Sequence, residues 1–123
     1  PTTSRVLVVD DDAAVGLAIR EALKPLQVTF AQSAAGALAR VAAGGKFEAI
    51  VCDVNMPGMS GLHFHSEVAR IAPDLADRIV FVTGGASPDA AALLRRMPNA
   101  CVPKPFTREA LRSAVSAAAL RPR

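Results

Sequence analysis

Residues 6–12 read Val-Leu-Val-Val-Asp-Asp-Asp, four apolar residues followed at once by three acids. A short, continuous β-branched run is typical of a strand that is buried on both faces, as strands of parallel sheets are. Beyond the acids, apolar residues recur at helical spacing: Val15, Ala18, Ile19, Ala22 and Leu23. Asp12 is placed to cap this helix and Pro25 lies near its end. The stretch therefore predicts a buried strand followed by a helix.

The same alternation continues to the end of the chain. Further strands are predicted at residues 28–31, 49–52, 79–82 and 100–102. A second helix is predicted from Ser33 to Gly44-Gly45, and a third carries Phe64, Val68 and Ile71 on one face and ends before Pro73. A fourth helix is predicted from Ser87-Pro88 to Arg96, and a fifth begins at Thr107 with Leu111, Val115 and Ala118 facing inward. Five strands alternating with five helices predict an α/β fold with a parallel sheet covered on both faces. We expect residues 1–123 to form a single domain.

Composition excludes several classes of protein. The chain has 123 residues, of which 51% are hydrophobic and 20% charged, and no run approaches the roughly 18 apolar residues of a membrane span. No signal-peptide core follows the polar start. These features predict a soluble, cytoplasmic domain that makes no membrane contact. Cys52 and Cys101 each lie in an apolar run and are expected to be small buried hydrophobes.

Charge is distributed unevenly along the sequence. The net charge of +3, without a basic run interleaved with aromatic residues, does not indicate direct nucleic-acid binding. Residues 1–88 carry 7 basic and 9 acidic side chains, whereas residues 89–123 carry 7 and 2, a net charge of +5. This basic part is either a solvated face or a docking surface for an acidic partner, which would use Arg95, Arg96, Arg108 and Arg112.

Chemically active side chains follow four of the predicted strands. Asp10 and Asp11 follow the first strand, Asp53 the third and Thr83 the fourth, and Lys104 lies just beyond the fifth. The carboxyl ends of parallel strands meet at one rim of the sheet, where ligands bind in such folds. Three clustered carboxylates need a cation, and hard Mg²⁺ suits oxygen ligands.

Asp53 is the candidate nucleophile of this cluster. It stands alone after the central strand, whereas Asp10 and Asp11 are adjacent and better arranged to hold a metal. A carboxylate can attack phosphorus if nearby cations and donors neutralise the charge that develops. Lys104 and Thr83 are the candidates for that role.

Four segments together resemble the signature segments of response-regulator receiver domains, the family of the chemotaxis regulators. They are residues 6–12, residues 53–61 (Asp-Val-Asn-Met-Pro-Gly-Met-Ser-Gly), residues 82–85 (Val-Thr-Gly-Gly) and residues 103–106 (Pro-Lys-Pro-Phe). The resemblance covers essentially the whole chain. It implies a flavodoxin-like, doubly wound (βα)5 fold with strand order 2-1-3-4-5, an order that chemotaxis regulators share with flavodoxins.

The resemblance also implies roles for individual residues. Asp53 matches the phosphoacceptor, and Asp10 and Asp11, with the backbone carbonyl of Asn55, match the other protein ligands of Mg²⁺. Thr83 matches the switch hydroxyl and Lys104 the phosphate-pairing lysine, with a cis bond between Lys104 and Pro105. The implied partner is a histidine kinase or a histidine phosphotransfer domain, and a homodimer is a further option.

The sequence departs from the family at one switch position. Relatives place an aromatic residue three positions before the lysine, where this chain has Cys101. The missing ring leaves the output in question rather than the phosphorylation. Residues 82–106, with an Ala-rich helix and the pair Gly84-Gly85, more narrowly resemble receivers of hybrid sensor histidine kinases. The chain also starts without Met and ends just past the final predicted helix, so we expect it to be a domain excised from a longer protein.

Three alternatives to a phosphorylated receiver stay open. An aspartate-nucleophile phosphatase would usually carry a second acid where Asn55 stands. A degenerate receiver would only bind proteins. A flavin binder would need a phosphate-cradling loop after the first strand, where three acids lie instead. His63 and His65 are expected to be structural or exposed rather than phosphorylated.

Overall fold

The computed structural model describes residues 5–121. Its strands are β1 (Arg5–Val9), β2 (Gln27–Ala31), β3 (Ala49–Asp53), β4 (Ile79–Thr83) and β5 (Cys101–Pro103). They form one parallel sheet in the order β2-β1-β3-β4-β5. This order confirms the predicted flavodoxin-like topology. The predicted fifth strand was one residue too early.

Six helices accompany the sheet within residues 5–121. They are α1 (Ala13–Leu23), α2 (Ala34–Ala42), α3 (Gly61–Ile71), α4 (Pro73–Ala76), α5 (Pro88–Arg96) and α6 (Arg108–Ala119). The prediction of five helices was wrong because it treated Pro73 only as the end of α3. Proline also fits the first turn of a helix, where its missing N–H is not needed, and here it begins α4.

The apolar strands serve two separate cores. In β1, Val6 and Val8 face the core formed with α1 and α6, whereas Leu7 and Val9 face the core formed with α2 and α3. Successive side chains of a strand point to opposite faces, so a strand covered on both sides must be apolar throughout. This requirement explains the unbroken apolar run in the sequence.

Side-chain caps mark the N-termini of the helices that follow the strands. The predicted cap Asp12 and the predicted helix starts Ser33, Ser87 and Thr107 each accept a hydrogen bond from a backbone N–H in the first turn of their helix. Ser60 caps α3 in the same way, with its Oγ 3.2 Å from the nitrogen of His63. Five of the six helices within residues 5–121 therefore begin directly after a capping side chain, and α4 is the exception.

Three side chains expected to be buried face solvent. Ala18 is exposed because Gly16, Ile19, Ala22 and Leu23 form the inward stripe of α1. Ile71 is 47% exposed, and the half-buried Ala72 takes the next inward position after Val68. Cys101 is also exposed, since α5 has no buried residue with which to cover that side of the edge strand β5.

None of the helices within residues 5–121 is both long enough and apolar enough to span a membrane.

Candidate functional site

Three carboxylates meet at the carboxyl rim of the sheet. Asp10 directly follows β1 and is 1% exposed, and Asp53 ends β3 and is 6% exposed, whereas Asp11 is exposed. A carboxylate oxygen from each of the three lies within 4.8 Å of those of the other two. The short apolar strands end at the same level, and this brings together acids that are more than 40 residues apart in sequence.

Backbone N–H groups orient the two buried acids. Asp10 Oδ1 accepts a hydrogen bond from the nitrogen of Asp12 at 2.9 Å, and Asp53 Oδ1 accepts one from the nitrogen of Asn55 at 3.1 Å. Lys104 Nζ lies 3.3 Å from Asp10 Oδ2 and 3.6 Å from Asp53 Oδ2. Each acid therefore has one oxygen held by the backbone and one directed toward the ammonium group.

The electrostatics of this cluster are unbalanced. Burial raises the pKa of Asp53 above its usual value, and the charges of Asp10 and Asp11 add to that rise. The Asn55 N–H and the Lys104 ammonium oppose it. Three carboxylates with one lysine among them leave a formal charge of −2, which favours binding of a further cation.

The donor set fits a hard divalent cation. Asp10, Asp11 and Asp53 offer only oxygen atoms, and Mg²⁺ prefers oxygen ligands with several retained waters. The exposure of Asp11 leaves one side of the cluster open to solvent, where such waters can be accommodated. These three residues therefore define a candidate Mg²⁺ site.

A second set of hydrogen bonds ties the loop after β4 to the loop after β3. The side-chain nitrogen of Asn55 donates to the carbonyl of Gly85 at 2.8 Å, and the nitrogen of Gly85 donates to Thr83 Oγ1 at 3.0 Å. Gly85 has φ +140°, a conformation that side-chain-bearing residues rarely adopt. No sequence pattern predicted the contact between Asn55 and Gly85.

Lys104 is positioned through the backbone of β4. The backbone nitrogen of Lys104 donates to the carbonyl of Thr83 at 2.8 Å. The peptide bond between Lys104 and Pro105 is cis, and so is the bond between Lys24 and Pro25. Thr83 and Lys104 thus lie beside the same rim as the acids.

Gly61 packs closely against the backbone of Asp53 and Val54. A Cβ atom at Gly61 would lie 2.5 Å from the carbonyl oxygen of Asp53 and 2.9 Å from the Cα atom of Val54. Neither atom can move without shifting the backbone that carries Asp53. In the sequence this glycine was only the last residue of a motif, and the packing of α3 against β3 supplies the reason for it.

The cysteines and histidines take no part in the acidic cluster. Burial raises the pKa of the Cys52 thiol far above its usual range, so that this thiol stays protonated. His63 is exposed, and His65 packs against Phe81 with ring centroids 6.0 Å apart. Both histidines agree with the structural or exposed roles expected of them.

Comparison with known proteins gives a consistent result. The sequence matches the family described as response regulator receiver domain over residues 6–116. A CheY-like receiver domain protein from Methanospirillum hungatei JF-1 has the same fold, with a TM-score of 0.85 at 24% identity over 96% of this chain and 94% of that one.

The chemotaxis response regulator CheY4 of Vibrio cholerae is 27% identical, with a TM-score of 0.80 over 95% of this chain and 99% of that one. A receiver domain protein from Clostridium thermocellum is 25% identical, with a TM-score of 0.83 over 94% of each chain. No curated protein sequence matches the chain.

Proposed function

Since this chain belongs to the response regulator receiver domain family, we propose that Asp53 accepts a phosphoryl group from a phosphohistidine of a histidine kinase or a histidine phosphotransfer protein. The observation that carries the proposal is the buried, backbone-oriented Asp53 carboxylate, which shares Lys104 with Asp10. The general role, a receiver module of two-component signalling, follows from the family itself.

In the proposed step, a carboxylate oxygen of Asp53 attacks the phosphorus atom. The P–O bond to Asp53 forms as the P–N bond of the donor breaks, and the electron pair of that bond leaves on the imidazole nitrogen. The Asn55 N–H holds the Asp53 carboxylate in a single orientation, which reduces the entropy lost on reaching the transition state. The product is an acyl phosphate on Asp53.

Lys104 and Thr83 act on the transferred group. The Lys104 ammonium, 3.6 Å from Asp53 Oδ2, pairs with a phosphoryl oxygen and releases its contact with that carboxylate. The Thr83 hydroxyl accepts from the Gly85 N–H, so its own hydrogen is available for donation to the phosphoryl group. Mg²⁺ held by Asp10, Asp11, Asp53 and the backbone carbonyl of Asn55 would neutralise the charge that develops on the phosphoryl oxygens.

Without an aromatic residue at position 101, switching must use other contacts. We propose that the loop from Thr83 to Gly85 carries the change, because it is joined to the phosphoacceptor loop through Asn55. The added charge of close to two negative units draws Thr83 inward and strains the Asn55 to Gly85 hydrogen bond.

Two alternatives receive less support from the site. In a phosphatase the general acid would be Asn55, whose amide donates to Gly85 and does not titrate. A receiver that only binds proteins would have no need of a buried acid cluster, which costs folding free energy. We propose a cytoplasmic setting for the same phosphotransfer chemistry.

The decisive experiment is intact-protein mass spectrometry after incubation with Mg²⁺ and acetyl phosphate or phosphoramidate. Wild type should gain one phosphoryl mass, about 80 Da, and the gain should vanish in Asp53→Asn and with a chelator. Asp12→Asn is the matched control, since asparagine caps a helix as well as aspartate does and the side chain of Asp12 lies outside the cluster. An absence of adduct with both small donors and a phosphohistidine protein would refute the proposal and leave a binding-only receiver.

A further inference from the structure

The two edges of the sheet differ in how well they are protected against strand addition. β5 has three residues and contains Pro103, which lacks the N–H that a paired strand needs. β2 has five residues, pairs only with β1 among residues 5–121, and contains neither a proline nor a charged side chain. Exposed edges usually carry such features because they prevent unwanted pairing. The outer edge of β2 therefore remains competent to accept another strand.

A basic groove runs along the start of this edge. A cavity of about 560 Å³ is lined by Gln27, Val28 and Thr29 of β2 together with Arg5, Arg20 and Lys24. All three cations are exposed. Lys24 forms an exposed ion pair with Glu21 at 3.0 Å, which is worth little in water. Within the described residues, the guanidinium groups of Arg5 and Arg20 form no ion pair. The groove thus combines free backbone hydrogen-bonding groups with an excess of positive charge.

Hydrogen bonds fix the backbone next to the groove, at the end of α1 and the start of β1. The guanidinium group of Arg112 donates to the carbonyls of Ala22 and Lys24, which anchors the end of α1 to α6. The carbonyl of Arg5 accepts from the nitrogen of Glu48, so the start of β1 is also fixed. A groove with fixed walls loses less conformational entropy when a ligand binds.

We propose that the β2 edge and the groove of Arg5, Arg20 and Lys24 form a docking site for an extended acidic segment of a partner protein, added to the sheet as a further strand. Backbone groups of β2 supply the pairing, and the cations select acidic side chains in the segment. A five-residue strand is about 16 Å long, enough to pair with five residues of a partner.

The lining favours a peptide over other anions. None of the residues that line the groove is aromatic, so bases of a single-stranded nucleic acid would have no ring on which to stack. A small phosphate would leave the β2 backbone unpaired. The strand edge and the charge together fit only a ligand that is both extended and acidic.

The docking site lies at the other end of the sheet from the phosphorylation site. Arg5 and Gln27 begin β1 and β2, whereas Asp10 follows the last residue of β1 and Asp53 ends β3. A segment bound here leaves the acid cluster open. The site would therefore tether a partner to the domain without regard to its phosphorylation state.

The test uses the whole chain and a blocked ten-residue peptide of alternating valine and glutamate. Titration followed by NMR should give saturable binding, with the largest shifts and slowest amide exchange in residues 27–31. Arg5→Glu combined with Arg20→Glu should weaken the peptide at least tenfold. The control variant, Arg40→Glu with Lys46→Glu, changes the net charge equally, but neither residue lines the groove, so it should bind as wild type does.

Several outcomes would overturn the proposal. The same peptide methylated on every backbone nitrogen has the same charge but no N–H donor for strand pairing, and equal binding of that peptide would reduce the site to unspecific electrostatics. Full competition by tripolyphosphate or by single-stranded DNA would assign the groove to those anions instead. Binding that survives the Arg5 and Arg20 reversals, or β2 signals that change only with protein concentration, would also contradict it. Acetyl phosphate labelling of Asp53, measured on the same samples, is independent of each result.

Discussion

The two rims of the sheet bury charge in opposite ways. At the carboxyl rim, Asp10 and Asp53 are buried and share the single ammonium of Lys104. At the amino rim, Arg78 is 5% exposed, and its guanidinium group donates to the carbonyl of Arg121 and lies 3.8 Å from a carboxylate oxygen of Glu48.

The charge of Arg78 at the amino rim is compensated by Glu48, while Arg78 Nε and Asn99 Oδ1 are buried without a hydrogen-bond partner among the described residues. The side-chain nitrogen of Asn99 donates to the carbonyls of Ala76 and Ile79 at 2.9 and 2.8 Å. Removing one partner of a buried pair destabilises a fold, whereas an excess of buried charge of one sign favours the binding of a ligand. The comparison therefore contrasts a structural rim with the rim of the candidate site in the same sheet.

The largest effect is expected at the structural rim. Arg78→Met fills much of the space of the arginine but leaves the carbonyl of Arg121 without its donor. We expect a loss of about 3 kcal/mol in the free energy of unfolding. Urea unfolding followed by circular dichroism measures it, because the chain contains no Trp or Tyr for fluorescence.

Arg40→Met is the control, since Arg40 is exposed on α2. It should change stability by less than about 0.5 kcal/mol. Phosphorylation of folded Arg78→Met should proceed at the wild-type rate. A stability loss below about 1 kcal/mol would mean that the amino rim is not the structural one.

At the carboxyl rim, Lys104→Met should slow the proposed phosphorylation while the fold survives. Losing one preorganised charge that stabilises the transition state typically costs about 100-fold in rate. Time courses of the adduct mass with phosphoramidate measure the change. Lys46→Met, an exposed lysine away from the rim, should match wild type, and an unchanged rate in Lys104→Met would remove the lysine from the mechanism.

Burying the Asp53 carboxylate should lower the free energy of unfolding when no metal is bound. Burial raises the pKa of Asp53 in the folded state, so the folded chain binds this proton more tightly than the unfolded chain does. Stability therefore falls as pH rises from about 4, the ordinary pKa of aspartate. In the absence of divalent cations at pH 7, Asp53→Asn should be more stable than wild type by about 1 kcal/mol.

This advantage should shrink as pH falls toward 4 and should also shrink when Mg²⁺ is added, because the metal stabilises wild type. Thermal unfolding with and without a chelator gives both comparisons. An Asp53→Asn variant that is less stable than wild type under metal-free conditions would show that the rim is not under electrostatic strain.

The smallest effect belongs to a titrating group away from both rims. Burial lowers the pKa of His65 below its usual value, with the charge of Asp77 opposing the shift. The unfolded chain then binds the proton more readily, so stability is lost as pH falls below about 6.5. His65→Gln should remove a few tenths of a kcal/mol of this pH dependence, and His63→Gln, at an exposed position, should not. Equal pH profiles for both variants would contradict the assignment.

Apolar runs and helix caps could be predicted from the sequence alone, because their signals are local. The strand after Ser4 and the cap at Asp12 depend on neighbours within a few residues. The same local reasoning failed at Pro73, which both follows one helix and begins another. It failed again at Cys101, where burial depends on whether a distant helix covers the edge strand.

The buried polar groups of the amino rim had no signal in the sequence. Arg78 precedes an apolar strand like many exposed arginines, and only the return of the chain after α6 places the carbonyl of Arg121 against it. The hydrogen bond from Asn55 to Gly85 joins two loops that are 30 residues apart. Such pairings arise from the packing of whole elements.

The amino-acid sequence by itself determined the order of the strands and of all the described helices except the short α4, the family, and which acids, hydroxyl and lysine could meet at one rim, because apolar periodicity and the signature segments are read directly along the chain. Only the tertiary structure decided which of those charges are buried, which partner each one has, and which sheet edge stays open. Burial and pairing depend on residues that are distant in sequence, and the balance between desolvation and compensation is set where those residues meet.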